Sequence, residues 1–112
     1  MARAATTTDA FNAIAEPRRR QILDLLGTAE MSVNDIVAVV PLSQPQVSKH
    51  LKVLKEVGAV SSRPVGRQRL YRLDARALKP IHDWVGEYER HWNDRLDRLD
   101  NYLDEVRAKE TT

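Results

Sequence analysis

Two serine-led capping signals stand close together in the middle of the chain, and they constrain its fold more than any other feature. Ser32 is followed three residues later by Asp35, and Ser43 by Gln46. In each, the serine hydroxyl can accept the backbone N–H of the third helical residue while that residue's side chain reaches back to the serine N–H. The first box opens SVNDIVAVV, with Ile36, Val37, Val39 and Val40 as its apolar side and Pro41 as its end. The second opens SQPQVSKHLKVLKEVG. The expectation is two short helices joined by a turn of three or four residues, the helix-turn-helix layout.

In the second helix Val47, Leu51 and Leu54 recur at i, i+4 and i+7 and define a buried face. Pro45, Ser48, Lys49 and Lys52 then fall on the opposite side, flanked by Gln44 and Lys55. His50 lies beside the apolar face, placed for packing or for a phosphate rather than for a base edge. Gly58 suits the left-handed position that closes a helix.

AVSSRPV and QRLYRLD follow, separated by Gly66-Arg67. Val60, Val65, Leu70 and Leu73 mark two short strands, with Gly66 in the turn. Pro64 sits near the end of the first, where a missing ladder donor costs least. Arg63, Arg67, Arg69 and Arg72 lie along this hairpin, so a helix-turn-helix is followed by a basic wing.

Upstream, Thr8 or Asp9 can cap a helix to about Ala15 with Phe11, Ile14 and Ala15 apolar, and Pro17 can begin another that ends at Gly27. Arg18, Arg19 and Arg20 oppose the macrodipole of that second helix, so helix stability alone does not explain them. A solvated face, a phosphate and a partner carboxylate stay open as readings. Downstream, Pro80 to about Lys109 reads as one amphipathic helix of roughly 45 Å. Ile81, Val85, Tyr88, Trp92, Leu96, Leu99, Leu103 and Val106 form a heptad-like seam with one extra step at Trp92. A single 112-residue domain does not need so long a helix for its own core. A second copy of the chain is the simplest cover for the overhang.

The net charge of +2 hides a division: residues 1–82 hold thirteen Lys/Arg against seven Asp/Glu, and residues 83–112 hold five against nine. The basic part points to a polyanion. With 42% hydrophobic and 30% charged residues the composition is that of a helix-rich globular protein. Having no cysteine, the chain has no disulfide, thiolate metal site or cysteine nucleophile. No apolar run approaches the ~18 residues of a membrane span, and MARAATTTDAF lacks the apolar core of a secretory signal, so a cytoplasmic protein with no membrane partner is expected.

SQPQVSKHLKVLKEVGAV followed by VGRQRLYRL resembles the recognition helix and wing of the ArsR-type winged-helix transcriptional regulators. The likeness spans roughly Phe11 to Leu73. It implies a mainly α fold with a small β-hairpin: a helix-turn-helix at about 32–57, a wing at about 59–74, and N-terminal helices (8–27) and a C-terminal helix (80–109) for dimerisation, all in one domain over 1–112. It also implies a homodimeric repressor of double-stranded DNA whose recognition helices enter successive major grooves of an inverted repeat, in some branches at its own promoter. The thiolate metal-sensing branch carries two cysteines where this chain has Ser32 and Asn34, which removes that site. Of the zinc-sensing branch's set only His91 and Asp94 resemble a half, and Glu87 with His91 is more often a helix-surface contact, so no metal and no cofactor is expected.

The candidate DNA-binding residues are Gln44, Gln46, Ser48, Lys49, His50, Lys52, Lys55, Arg63, Arg67 and Arg69. Gln44, Ser48 and Lys49 are placed for base edges, since Gln pairs with adenine and Lys with guanine, and Lys52 and Lys55 for phosphate. Arg67 and Arg69 suit phosphate or the minor groove, and Tyr71 can be a plain surface aromatic. Phe11, Ile81, Val85, Tyr88, Trp92, Leu96, Leu99 and Leu103 are the candidate dimer interface. Trp84, Tyr88 and Trp92 fit dimer packing or a pocket for a small apolar effector of unknown identity. The rival readings are a winged helix that binds an acidic protein, and a regulator with a His/carboxylate metal. Catalysis has little support: His82 and Asp83 are sequence neighbours that point about 100° apart, and no P-loop, dinucleotide fingerprint or nucleophile elbow occurs.

Overall fold

A computed structural model describes residues 9–110. It places α1 at Ala10–Ile14, α2 at Pro17–Leu26, α3 at Val33–Val37, α4 at Gln44–Glu56, β1 at Val60–Val65, β2 at Gln68–Leu73, a 3-10 turn at Ala75–Leu78 and α5 at Lys79–Glu110. The chain divides at Pro80 into two units, a winged helix before it and the body of α5 after it. Thr8, the alternative first cap, lies outside the described residues, and Asp9 fills the role by accepting the Asn12 N–H at 2.7 Å.

Both capping boxes form. Ser32 Oγ takes the Asp35 N–H at 3.1 Å while Asp35 Oδ2 takes the Ser32 N–H at 3.0 Å. Ser43 Oγ takes the Gln46 N–H at 3.3 Å while Gln46 Oε1 takes the Ser43 N–H at 2.8 Å. At the far end of α4, Gly58 adopts φ +80°. There the Ala59 N–H reaches the Leu54 carbonyl at 2.9 Å and the Gly58 N–H reaches Lys55 at 3.0 Å, which is the Schellman closure.

The core of this unit is built by Ile22, Leu23 and Leu26 of α2, Ile36 of α3, Val47, Leu51 and Leu54 of α4, and Ala59 and Val60 at the entry to the wing. Burying each of the larger aliphatic side chains contributes about 1.5–3 kcal/mol, so α4 is held by the face its i, i+4, i+7 spacing creates.

Three local expectations need correction. The link between α3 and α4 runs over residues 38–43, longer than three or four residues, because α3 stops at Val37. The chain then turns through Val39 and Val40 N–H bonds to the Ile36 carbonyl, which buries Val40 and leaves Val39 at 61% exposure. In α1 the buried positions are Ala10 and Ala13; Phe11 and Ala15 are exposed, since a five-residue helix docks only its smallest face.

The wing pairs antiparallel, with Ser62 opposite Tyr71, Pro64 opposite Arg69 and Val65 opposite Gln68. Gly66, at φ +63°, begins the two-residue turn, as a type II′ hairpin requires. Met31 adds a third, one-residue rung: its N–H and carbonyl bond Tyr71 at 3.0 and 2.8 Å. That ties the start of α3 to β2.

In the second unit α5 continues for 32 residues in all, close to the expected extent. Among the described residues no helix is long and apolar enough to cross a membrane.

Candidate nucleic-acid interface

The Ser43 box sets the direction in which α4 begins, and from that start Gln44, Ser48, Lys49, Lys52 and Lys55 all emerge on its exposed side. Gln46 and His50 do not share that freedom. The Gln46 carbonyl oxygen is held by the Ser43 N–H and lies 3.1 Å from the Ser43 hydroxyl, so its main task is the cap. His50 is half-buried. Its pKa lies below the usual 6.5, first because burial disfavours the imidazolium, then because Arg19 and Lys49 repel it, with Glu16 opposing. Its surroundings at the start of α2 fit packing better than base reading.

Alternation along the hairpin sorts the wing's arginines onto two faces. Arg63 faces one side, where its Nε and Nη2 each donate to Glu30 at 2.9 Å, a forked pair between the segment before α3 and β1. That hydrogen bond, with the attraction of Arg63, holds the Glu30 carboxyl below the usual range against the opposing effect of desolvation. The guanidinium counted among the DNA-binding candidates is therefore already engaged by a carboxylate. Arg72, on the same face, donates to Ser61 Oγ at 3.2 Å.

Arg69 faces the other side, toward α4. Its Nε and Nη2 donate to Ser62 Oγ at 3.2 and 3.1 Å, and Lys55 Nζ donates to the same oxygen at 3.1 Å. Arg67 is exposed at the hairpin tip. Between the tip and the starts of α3 and α4 lies an open cleft of about 260 Å³, lined by Asn34, Gln44, Arg67, Gln68, Arg69 and Tyr71 among others. Tyr71 thus lines a polar cleft as well as carrying the Met31 rung.

The arginines of α2 act in a way that sequence alone did not single out. Arg19 Nε donates to the Ala13 carbonyl at 2.6 Å and Arg20 Nη1 to the Ile14 carbonyl at 2.6 Å, while Arg18 Nη1 reaches Gln21 Oε1 at 2.9 Å. Two of the three cap the last carbonyls of α1. The signal was a basic run immediately after a very short helix, whose end must find donors.

On α5, Tyr88, Trp92, Leu96, Leu99 and Leu103 are exposed, and Ile81, Val85 and Val106 are half-buried. Trp84 and Tyr88 meet edge to face at 5.5 Å, and the His91 ring lies 6.4 Å from that of Tyr88. No three His, Cys, Asp or Glu side chains among the described residues converge as metal ligands, Glu87, His91 and Asp94 included. His82 Nδ1 and Asp83 Oδ1 do approach, at 3.3 Å, although neighbouring helical positions diverge; both are exposed, with His82 at 85%.

The profile described as "Bacterial regulatory protein, arsR family" matches residues 16–62, from the cap of α2 into β1. An HTH-type transcriptional regulator of Mycobacterium tuberculosis, Rv2034, is 36% identical over 87 residues, which is 78% of each chain. The transcriptional repressor SdpR of Bacillus subtilis is 36% identical over 75 residues, 67% of this chain and 83% of that one. Among solved structures, an ArsR-like transcriptional regulator from Rhodococcus superposes with a TM-score of 0.68 at 28% identity, over 89% of this chain and 92% of that one. The homodimeric winged helix-turn-helix DNA-binding domain of Mb0332 from Mycobacterium bovis, solved in solution, gives 0.56 at 30% identity over 68% and 73%.

Proposed function

Since this chain belongs to the arsR family of bacterial regulatory proteins and is a transcriptional regulator with a winged helix-turn-helix domain, we propose that it acts as a homodimeric repressor binding an inverted-repeat operator. The observation that carries this reading is the outer face of α4. A buried Val47, Leu51 and Leu54 turn Gln44, Ser48 and Lys49 outward at the start of the helix, beside a wing whose tip carries Arg67.

In this reading Gln44, Ser48 and Lys49 meet base edges, and Lys52, Lys55, Arg67 and Arg69 meet the backbone. Gln46 caps the start of the helix, His50 packs beside the start of α2, and Arg63 serves the wing through Glu30. Residues 1–112 work as one DNA-binding domain whose α5 seam, with Phe11, pairs two copies. Two recognition helices then sit about one DNA turn apart, ~34 Å. Repression follows where the operator overlaps a promoter, because bound dimer and polymerase exclude each other.

Fluorescence anisotropy with the DNA upstream of its own gene and with a scrambled duplex tests the reading. Tight, salt-sensitive binding to the first alone supports an autoregulatory repressor. Equal binding to both at every salt concentration removes that operator and favours an acidic protein as the partner of the basic face.

A further inference from the structure

The basic groups of the wing are not equivalent, and one oxygen atom separates them. Ser62 Oγ accepts from Lys55 Nζ at 3.1 Å and from the Arg69 guanidinium at 3.1 and 3.2 Å. The geometry follows from register. Arg69 stands opposite Pro64, so it is the diagonal neighbour of Ser62 on the same face of the hairpin. Lys55, in the last turn of α4, approaches that face from the helix. The two cations therefore stand no further apart than two hydrogen-bond lengths.

Like charges held this close repel unless an anion joins them. Arg63 and Arg76 have carboxylates for that purpose, Glu30 and Asp74. Among the described residues neither Lys55 nor Arg69 has a carboxylate within ion-pair distance. A serine hydroxyl has two lone pairs and one proton. Both lone pairs face cations, and the proton meets no acceptor among the described residues. Ser62 is half-buried while Lys55 and Arg69 are exposed, so the free side of the cluster opens to solvent.

We propose that Lys55, Ser62 and Arg69 form one seat for a single DNA backbone phosphate, which bridges the end of the recognition helix to the wing. One non-bridging oxygen accepts the Ser62 O–H, and the phosphate draws the ammonium and the guanidinium from the hydroxyl onto its own charge, where their bonds are stronger. The seat rests on the DNA-binding reading given above, and it adds two things to it. Lys55 and Arg69 act on the same linkage rather than on separate ones, and Ser62, which carries no charge, is a DNA contact. With the phosphate bound, α4 and the wing are locked to each other.

A duplex bound by the wild-type protein is scanned with single neutral methylphosphonate linkages, and each is titrated against wild type, Lys55→Ala, Arg69→Ala, Ser62→Ala and the double variant Lys55→Ala/Arg69→Ala. Each cation variant is expected to weaken binding about tenfold on normal DNA. One methylphosphonate position weakens wild type, and at that position none of the variants weakens binding further. The double variant lowers the slope of log K against log salt by about one phosphate, ~0.9, and not by two. Melting curves that match wild type show the variants folded.

Two different linkages for Lys55→Ala and Arg69→Ala, or a slope loss of two phosphates, would overturn the shared seat. So would specific competition by inorganic phosphate, beyond chloride at equal ionic strength, with no sensitive linkage in the duplex; that result assigns the seat to a free anion. If wild type binds no duplex at all, the DNA-binding reading fails first, and the seat with it.

Discussion

Ser32 and Ser43 head the same motif in two environments, and removing each hydroxyl measures what burial adds to a cap. Ser32 is 4% exposed and lies among the residues that join α3 to the wing; Ser43 is exposed. Losing an exposed N-cap hydroxyl typically costs ~1 kcal/mol, because water replaces it at the freed N–H. At Ser32 water has less access, and an N–H left unsatisfied out of solvent costs ~1–3 kcal/mol, which places Ser32→Ala near ~2 kcal/mol. Urea unfolding at one fixed protomer concentration reads the difference, since the apparent stability of the proposed dimer would depend on concentration. With a slope of about 1–3 kcal/mol per molar, Ser32→Ala should lower the midpoint by roughly 1 M and Ser43→Ala by about half as much. Equal losses, or a larger loss for Ser43→Ala, would refute the argument that burial sets the cost of these caps.

Lys49→Ala is expected to relax base preference while Arg67→Ala weakens all sequences about equally; competition binding against scrambled DNA separates the two, and equal losses for Lys49→Ala would remove its base-reading role. Gly58→Ala should cost ~1–2 kcal/mol in thermal unfolding, since the added Cβ meets only Ala77 at 3.7 Å and the penalty comes from φ +80°. Asp74 is held down to about 2 by the Arg76 guanidinium and the Arg76 N–H, so its contribution to stability is complete above the usual 3.8 and disappears as pH falls through 3.8 toward 2. An NMR titration of its carboxyl with a midpoint near 3.8 would contradict this. Truncation after Tyr88 should give monomers in sedimentation, because it removes Trp92, Leu96, Leu99 and Leu103 from the seam.

What was legible in the sequence was local. Both capping boxes, the Gly58 closure, the Gly66 turn and the buried row Val47, Leu51, Leu54 depend on residues a few positions apart, and each forms as its spacing requires. The end of α3 was not legible, because VAVV suits a helix face and a turn equally until the core selects Val40 over Val39. The partners of the cations were not legible either. Arg63 finds Glu30 across 33 residues, and Arg19 finds the end of α1 only once α2 has docked. A count of basic residues therefore takes no account of their partners: Arg63 is paired with Glu30, the Gln46 side chain is engaged in the Ser43 cap, and His50 is half-buried beside the start of α2. The role proposed for Ser62 was not legible for the opposite reason, since an uncharged residue would acquire it only from the register that sets it beside Arg69.

Selection of duplexes from random DNA by the purified protein, followed by sequencing of the bound pool, tests the central claim most directly. A homodimer that reads bases through Gln44, Ser48 and Lys49 should enrich an inverted repeat with half-site centres about 10 base pairs, one helical turn, apart. A bound pool with no enriched motif would contradict sequence-specific regulation by this face, and a single unrepeated half-site would contradict the dimer.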